Sequence, residues 1–394
     1  MNMSKKLPQG WKEYRLGDIG KIYTGNTPPT RNEEFYNSPD VMFVKPDDFI
    51  EEKINIITTS KAHLSNLGAE KGRFIPKGSL LVTCIGILGK VGIIEKDCCF
   101  NQQINAIVPN RQIVIPEYIA YYILKNRHIL EAIAGGAVVP MINKTQFSNI
   151  KIYLPPLEKQ ERIVSILERA EGAICKREES NRLLDEYLKS VFVEMFGDPV
   201  TNPKGWDKIK LKDAGTLERG KSKHRPRNAP ELLGGIYPLI QTGDIANSGM
   251  YLSEYTQTYS EIGLKQSKMW NKGTLAITIA ANIAKTAVLD IDACFPDSVV
   301  GFIPNEYTNV EFVCVWMSFL QDMLEKTAPE SAQKNINLKI LGDLDIIAPP
   351  IELQEKFTQI VYTIEVMKKK QINSNDELNN LFNSLMQRAF SGEL

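Results

Sequence analysis

Cysteine and histidine are scarce in this 394-residue chain, which contains six and three of them. The cysteines show no C-x-x-C spacing and the histidines are scattered, so the sequence predicts neither a disulfide framework nor a metal site. No stretch approaches the ~20 apolar residues of a membrane-spanning helix, and residues 1–14 lack the apolar core of a signal peptide. We therefore expect a cytoplasmic protein that contacts no membrane.

Net charge is also absent, because 47 Lys and Arg residues balance 47 Asp and Glu residues. This balance is unusual for a DNA-binding protein, which needs basic side chains to contact phosphates. Residues 1–154 nevertheless contain 19 basic and 14 acidic side chains, a net charge of +5. Residues 199–348 are near neutral but contain the basic run from Lys221 to Arg227. Local basic surfaces are therefore compatible with nucleic-acid binding.

The sequence contains one long internal repeat. An offset of 195 relates Gly10, Trp11, Leu16, Asp18, Gly20, Gly25 and Lys90 to Gly205, Trp206, Leu211, Asp213, Gly215, Gly220 and Lys285. An offset of 194 then relates Asn143, Pro155, Pro156, Gln160 and Phe196 to Asn337, Pro349, Pro350, Gln354 and Phe390. A period of this length is far too long for a solenoid, so it indicates a duplicated module.

Each copy predicts a globular part of mixed α and β structure followed by a long helix. Short β-branched and apolar runs at residues 79–85 and 274–279 indicate strands. Residues 116–134 indicate one helix with proline in its first turn, and the counterpart runs from about 311 to 324. We expect an α+β fold with two β-rich domains, each containing one main internal helix.

Heptad spacing follows each proline pair. The first set of seam positions is Ile163, Leu167, Ile174, Asn181, Leu184, Leu188 and Val191, and the second is Phe357, Val361, Ile364, Asn375, Leu378, Phe382 and Leu385. Alternating steps of four and three residues are typical of a coiled coil. Both seams are polar in the middle, which in an antiparallel pair would bring polar groups together and fix the register. The alternative is that the polar stretch 368–375 breaks the second helix.

Two motifs resemble catalytic ones without the surroundings that catalysis needs. Residues 215–222 match the P-loop pattern G-x-x-x-x-G-K-[ST], but two prolines follow where a helix must begin, and the first copy lacks the lysine. Asp40, Glu51 and Lys53 resemble a magnesium-nuclease pattern that has no counterpart in the second copy. A stand-alone Mg-dependent nuclease or a P-loop NTPase is therefore only the alternative function. The cofactor loop F-x-G-x-G and the [ND]-P-P-[FY] tetrapeptide of adenine methyltransferases are both missing.

Several short motifs, in their order and duplication, resemble the specificity subunits of type I restriction-modification enzymes. They are Gly10-Trp11 with residues 16–19, the L-P-P-L-x-x-Q opening at 154–160, the F-G-D-P segment at 196–199 and the terminal residues 389–394. The resemblance covers nearly the whole chain. It implies a non-catalytic, sequence-specific DNA-binding subunit that positions other subunits on a bipartite target.

The resemblance also implies a domain order and a set of partners. Target-recognition domains at residues 1–154 and 199–348 would be separated by conserved helices at 155–198 and 349–394, packed as an antiparallel coiled coil with pseudo-two-fold symmetry. The partners would be double-stranded DNA, two methylation subunits bound through the helices, and restriction subunits. This chain would hold no cofactor, because S-adenosylmethionine, ATP and Mg²⁺ would be bound by the partners.

The length of the first seam independently fits a bipartite target. Its 33 residues from 163 to 195 correspond to about 50 Å of helix at ~1.5 Å per residue. One turn of B-DNA is roughly 34 Å long. Domains near opposite ends of such a spacer could read two separated half-sites.

Polar and basic residues in predicted loops are the candidate DNA contacts, because loops on a scaffold commonly carry function. The first copy supplies Thr24, Gly25, Asn26, Thr27, Arg31, Lys45, Lys90, Gln102, Gln103, Asn143 and Lys144. The second copy supplies Arg219, Lys221, Lys223, Arg225, Arg227, Gln241, Thr242, Lys285, Gln333, Lys334 and Asn335. Amides can pair with adenine, and Arg or Lys with guanine or phosphate, while an exposed structural role is the alternative for each residue. Lys90 and Lys285 coincide between the copies, which favours phosphate contact for them.

Overall fold

The structure is a computed structural model that describes residues 7–136, 138–280, 283–327 and 336–394, without the side chains of 322–327. It divides into two compact units. Unit 1 comprises Met1–Lys176 and Asn375–Leu394, and unit 2 comprises Arg177–Ser374.

Unit 1 contains short strands and short helices. The strands are β1 (Lys12–Arg15), β2 (Gly20–Thr24), β3 (Val41–Val44), β4 (Ile54–Ile57), β5 (Ala62–Leu64), β6 (Phe74–Ile75), β7 (Leu80–Thr83), β8 (Val91–Ile94), β9 (Cys98–Phe100), β10 (Ile104–Pro109) and β11 (Lys151–Leu154). The helices are α1 (Leu16–Ile19), α2 (Asn66–Lys71), α3 (Pro116–Lys125), α4 (Arg127–Ala134) and α5 (Lys144–Ser148).

A long helix, α6 (Leu157–Phe196), begins in unit 1 and ends in unit 2. The strands of unit 2 are β12 (Lys208–Lys210), β13 (Gly215–Arg219), β14 (Leu233–Leu239), β15 (Tyr251–Leu252), β16 (Gln257–Tyr259), β17 (Met269–Trp270), β18 (Leu275–Thr278), β19 (Thr286–Leu289), β20 (Ala293–Cys294), β21 (Val299–Pro304) and β22 (Asp345–Ile347). Its helices are α7 (Thr242–Asn247), α8 (Glu261–Lys265), α9 (Val310–Thr327) and α10 (Leu338–Gly342), and a second long helix, α11 (Ile351–Ser391), returns to unit 1.

The two units have the same sheet topology. Unit 1 has a five-stranded sheet in the order β2-β10-β7-β8-β4, a four-stranded sheet β5-β3-β9-β6 and the pair β1-β11. Unit 2 has the corresponding sheets β13-β21-β18-β19-β15, β16-β14-β20-β17 and β12-β22. The parallel strand pairs correspond as well. The pair β3-β9 of unit 1 matches β14-β20 of unit 2, and the pair β4-β8 matches β15-β19. The sequence repeat is therefore a repeat of fold.

The predicted strands form at the centre of each five-stranded sheet. The run at 79–85 contains β7 and the run at 274–279 contains β18, and every residue of both strands is buried. Burial on both faces explains why these runs are continuously apolar rather than alternating. The predicted α+β class is confirmed.

The predicted single helix at 116–134 is wrong in one respect, because it is interrupted at Asn126. The Asn126 side chain donates to the carbonyl oxygen of Tyr122 at 2.9 Å, and α4 begins at the next residue. The offset of 194 places Leu320 at this position in unit 2, where α9 continues without a break to Thr327. An amide that bonds to nearby backbone competes with helix propagation, whereas leucine does not.

The long helices pack antiparallel. In unit 1, Ile163 and Leu167 from the first half of α6 share a core with Met386 and Ala389 from the end of α11. In unit 2, Leu188 and Val191 from the second half of α6 share a core with the first half of α11. Seven apolar seam positions are buried, namely Ile163, Leu167, Leu188, Val191, Phe357, Val361 and Ile364, whereas Leu184, Leu378, Phe382 and Leu385 are half-buried.

The middle of each seam is polar and remains helical. Helix α11 runs without interruption through residues 368–375, so the alternative of a broken helix is wrong. Ile174 is half-buried in unit 1 and Asn181 in unit 2. The side-chain oxygens of Asn181, Gln371 and Asn375 are buried and accept no hydrogen bond from the described residues. Unsatisfied polar groups in the seam lower the stability of the folded chain. Coiled coils accept this cost where polar groups specify the register of the paired helices.

A buried glutamine anchors the start of each long helix. Gln160 donates to the carbonyl oxygens of Ile113 at 3.0 Å and Pro155 at 2.9 Å, and accepts from the backbone N–H of Ile115 at 3.1 Å. Gln354 makes the same three bonds, with Tyr307, Pro349 and Asn309. The repeated L-P-P-L-x-x-Q motif therefore joins each helix to the loop ahead of α3 or α9.

Candidate nucleic-acid interface

A glycine loop follows the second strand in each unit. We define the glycine loop of unit 1 as Gly25–Thr27, after β2, and that of unit 2 as Gly220–Ser222, after β13. A Cβ atom on Gly25 would overlap the carbonyl oxygens of Phe100 and Asn101, and one on Gly220 would overlap those of Phe295 and Pro296. Only glycine allows the backbone of each loop to lie so close to the turn that follows β9 or β20.

In unit 1 this loop carries amide and hydroxyl groups that bond to one another. Thr27 donates to the side-chain oxygen of Gln102 at 2.6 Å, and the Asn26 amide donates to the carbonyl oxygen of Lys71 at 2.7 Å. Thr24 is bonded to Asn105 at 2.6 Å, and Asn101 donates to Gln103 at 2.8 Å. Thr27 and Gln102 are exposed, whereas Thr24, Asn26 and Gln103 are half-buried. The structure thus brings the predicted residues from 24 to 27 together with Gln102 and Gln103.

In unit 2 the corresponding loop and the residues that follow it carry charged side chains instead. Arg225 and Arg227 lie 3.5 and 2.5 Å from the carboxylate of Asp297, which occupies the position that Gln102 has in unit 1. Lys221 lies 3.4 Å from Glu218. Lys223 and Arg219 are exposed and form no ion pair with a described residue. The basic run is therefore a partly neutralised surface rather than a free cluster of cations.

Lys90 and Lys285 occupy the same turn in the two units. The backbone N–H of Lys90 donates to the Thr83 hydroxyl and that of Lys285 to Thr278, each at 3.0 Å. The Lys90 ammonium lies 3.4 Å from Glu51, and its side chain is 12% exposed. The Lys285 ammonium lies 3.3 Å from the side-chain oxygen of Gln321. The turn is therefore repeated in the two units, whereas the side-chain partners of the two lysines differ.

The other candidates are spread over several elements. Asn143 is the N-cap of α5, where its oxygen accepts from the N–H of Gln146 at 2.9 Å, and Gln241 precedes α7, which begins at Thr242. Lys45 lies 5.3 Å from the ring centroid of Phe43. Arg31 and Lys144 are exposed. Gln333, Lys334 and Asn335 lie outside the described residues.

A basic side chain that is not among the predicted contacts lies beside each glycine loop. In unit 1, the Arg73 guanidinium lies over the Tyr23 ring at 5.9 Å, two residues after Lys71, whose carbonyl oxygen accepts a hydrogen bond from Asn26. In unit 2, the Lys268 ammonium lies 3.8 Å from the Trp270 ring centroid and is paired with Glu218. The hydrogen bond from Lys268 lowers the pKa of Glu218, so this carboxyl stays ionised. The offset of 195 relates Arg73 to Lys268, and this repeated basic character was the available signal.

The motif at residues 215–222 does not form a phosphate-binding loop. Gly215–Arg219 is strand β13, and the described residues that follow Ser222 do not begin a helix there. Among the described residues no group of His, Cys, Asp and Glu side chains has a metal-binding arrangement. No described helix is both long and apolar enough to cross a lipid bilayer.

Comparison with known proteins identifies the family. The model of the type I restriction modification DNA specificity domain matches twice, at residues 8–184 and 203–380. The MjaIX specificity subunit of a type I restriction enzyme from Methanocaldococcus jannaschii is 23% identical over 418 residues, covering 99% of this chain and 94% of that protein.

Solved structures show the same fold. The type I restriction-modification S subunit from M. genitalium superimposes with a TM-score of 0.55 at 14% identity, covering 99% of this chain and 98% of the other. A chain from a study of complex assembly and conformational transition of the type I R-M system gives a TM-score of 0.62 at 20% identity, covering 99% and 100%. With two matched domains that span most of its length, the chain belongs to the family of type I restriction-modification DNA specificity proteins.

Proposed function

We propose that this chain reads a two-part DNA target, with residues 1–154 recognising one half and residues 199–348 the other. The observation that carries this proposal is the pair of glycine loops, which occupy the same place on the same sheet topology but carry different side chains. Equivalent scaffolds with different loop chemistry are what two half-sites of different sequence require.

Within this proposal the two units use different chemistry. The amides around Gln102 and Asn26 suit base edges, because an amide can pair bidentately with adenine. The arginines and lysines of unit 2 suit guanine or phosphate, and Arg73 and Lys268 extend each surface with a cation. Lys90 is not among the preferred contacts, since its ammonium is paired with Glu51 and its side chain is largely buried.

As a specificity protein the chain supplies DNA recognition and no catalysis. The two helical segments, residues 155–198 and 349–394, would bind two methylation subunits, and restriction subunits would join the complete complex. S-adenosylmethionine, ATP and Mg²⁺ would be bound by those partners.

Methyl transfer by reconstituted mixtures tests the proposed function. The chain alone should transfer no methyl groups to DNA, and a mixture with its cognate methylation subunit should methylate one bipartite sequence. Methylation by the chain in a preparation free of that subunit would contradict the proposal. Equal methylation of unrelated DNA sequences by the mixture would instead indicate a scaffold without sequence preference.

Removing the carboxylate of Asp297 tests the basic run separately. Arg225→Ala and Arg227→Ala should each weaken DNA binding and lower the salt dependence by nearly one unit of log-log slope per lost phosphate contact. Asp297→Asn should have the opposite effect on affinity, because it frees both guanidinium groups from their ion pair. Unchanged salt slopes in all three variants would show that the run does not contact phosphate.

A further inference from the structure

Unit 1 contains an open cavity of about 640 Å³ beside the first half of α6. Its walls come from β4 and the loop before it, from α3 and from α6. The lining side chains that matter here are Ile50, Ile56, Glu117, Tyr121, Glu168 and Glu171. Ile50 and Ile56 are 59% and 55% exposed, so the cavity combines apolar walls with acidic groups.

The three glutamates of this cavity lack a cationic partner. Among the described residues, no ion pair within 4.0 Å involves Glu117, Glu168 or Glu171. The Tyr121 hydroxyl donates to Glu171 at 2.7 Å, which satisfies one oxygen without neutralising its charge. Glu117 and Glu171 are half-buried, and Glu168 is exposed at the rim. Lys53 and Asp48 also line the cavity, so the carboxylates of its wall outnumber its one cation.

The corresponding site in unit 2 contains its own cation. The offset of 194 relates Glu117 and Glu171 to Glu311 and Glu365. The Lys368 ammonium lies 2.8 Å from Glu365 and 2.5 Å from Asp185, and its side chain is 15% exposed. Burial by itself would lower the pKa of Lys368, but the hydrogen bonds to both carboxylates outweigh burial and raise it. The ammonium is therefore charged when it occupies this site.

A tyrosine completes the corresponding site. The Tyr251 hydroxyl donates to Glu311 at 3.0 Å. Unit 1 has Ile174 where unit 2 has Lys368, and Ile56 where unit 2 has Tyr251. The strand pairing supports the second match, because Tyr251 lies opposite Val288 as Ile56 lies opposite Ile93. In unit 2 the counterpart of Glu171 thus binds an internal ammonium and the counterpart of Glu117 bonds to a tyrosine, whereas in unit 1 both glutamates line an open cavity.

We propose that this cavity of unit 1 receives a lysine or arginine side chain of the methylation subunit. The inference rests on the proposed function, in which that subunit binds the long helices. The glutamates would pair with the cationic group as Glu365 pairs with Lys368, and Ile50 and Ile56 would pack against the aliphatic stem. Carboxylates repel phosphate, so the occupant is a protein side chain rather than DNA.

Titration of the purified chain with its cognate methylation subunit tests the proposal. Glu117→Gln combined with Glu171→Gln should weaken binding about tenfold or more and flatten its salt dependence, because the charges that attract the partner are removed without a change in shape. Glu33→Gln combined with Glu34→Gln is the matched control, since it removes two exposed charges of unit 1 that do not line the cavity. The control should bind like the unaltered chain.

A second pair of variants places a cation in the cavity from within. Ile174→Lys should weaken binding to the methylation subunit, because the new ammonium would pair with Glu171 as Lys368 pairs with Glu365 in unit 2. Ile174→Met, of similar length and without charge, should not. Spermidine, a free polyamine, would compete with a partner side chain for the same carboxylates, so it should weaken binding of the unaltered chain more than that of the glutamate variant.

The outcomes separate the cavity from the wider function. Unaltered affinity in both the glutamate variant and Ile174→Lys would overturn the docking site while leaving assembly of the complex intact. Glutamate-dependent binding of spermidine to the chain, with no effect on binding of the methylation subunit, would also overturn it in favour of a free polyamine. Failure of the unaltered chain to bind the methylation subunit at all would instead contradict the proposed function.

Discussion

Single residues determine how closely each loop approaches its neighbour. Gly25 and Gly220 have no space for a Cβ atom, whereas the side chains beside them differ between the two units. Thr27 faces Gln102 in unit 1, whereas Asp297 faces two arginines at the corresponding place in unit 2. The glycine that shapes each loop is therefore the same in both units, and the residues proposed to contact DNA differ.

We predict that Gly25→Ala damages recognition of one half-site only. The added methyl group must displace the turn at Phe100 and Asn101, at a cost of about 1–3 kcal/mol of stability. With the methylation subunit present, sequencing of modified DNA should show relaxed preference at one half of the target and normal preference at the other. Gly136→Ala is the control, because no atom of the described residues, apart from its neighbours in the chain, lies within 4 Å of the place that its added methyl group would occupy. Equal loss at both halves would argue against independent recognition by the two units.

Glu168 should give unit 1 a stability that falls as pH rises. Burial raises the pKa of this carboxyl above its usual 4.5, as do Glu117 on α3 and Glu171 on the same helix. A group with a raised pKa binds protons more tightly in the folded state, so its contribution is present at low pH and is lost as pH rises through the folded pKa.

Glu168→Gln should therefore make the melting temperature fall less steeply with rising pH, in the window that begins at about pH 4.5. Thermal unfolding followed by circular dichroism across that window provides the measurement. Glu161→Gln removes an exposed glutamate from the same helix and should retain the pH dependence of the unaltered chain. Parallel curves for all three proteins would show that Glu168 has no such coupling.

At the level of elements, each long helix depends on the glutamine near its start. Gln160 and Gln354 are fully buried and each bonds to three backbone groups. The proline pair before each helix supplies one of those carbonyl oxygens, so the proline and glutamine parts of the motif act together. The repeated motif is a joint between helix and domain.

Replacing either glutamine by leucine should cost about 2–4 kcal/mol, because several buried backbone groups would lose their only partner. We expect similar losses for Gln160→Leu and Gln354→Leu, since their bonding is the same. Urea unfolding provides the measurement. Gln359→Leu, at an exposed position of α11, should change the unfolding free energy by less than about 0.5 kcal/mol. A loss confined to one of the two glutamines would show that the joints are not equivalent.

At the level of the whole molecule, a residue near one end of the chain contacts a residue near the other end. Gly392 packs against the ring of Pro8 within unit 1, and Gly197 packs against the corresponding ring of Pro203 within unit 2. Both glycines have left-handed backbone angles, with φ of 86° and 80°. The first contact joins the two ends of the chain, whereas the second joins residues six positions apart.

A circular permutant should therefore retain function. Joining Leu394 to the amino terminus through a short linker and reopening the chain near Pro199 exchanges the domain order and preserves the Gly392 contact. We expect the permutant to assemble with the methylation subunit and to modify the same bipartite sequence, as determined by methylome sequencing. A soluble permutant that assembles but reads a different spacer length would show that the two long helices are not interchangeable.

The sequence by itself determined the repeat, the α+β class and the two long helices. These follow from identical residues at a constant offset and from apolar spacing, which both depend on neighbours along the chain. The break between α3 and α4 could also have been predicted from the sequence, because it depends on a local interaction. The Asn126 amide bonds to the backbone of the preceding helical turn.

Tertiary structure alone decided which of the charged candidate residues form ion pairs within the chain. Lys90 pairs with Glu51, and Arg225 and Arg227 pair with Asp297, over separations of 39 to 72 residues. The cavity of unit 1 likewise joins Ile56 to Glu117 and Glu171, which no spacing rule connects. Such partners meet because the sheets and helices bring distant segments together, and a side chain's charge in the sequence does not specify where its counter-ion lies.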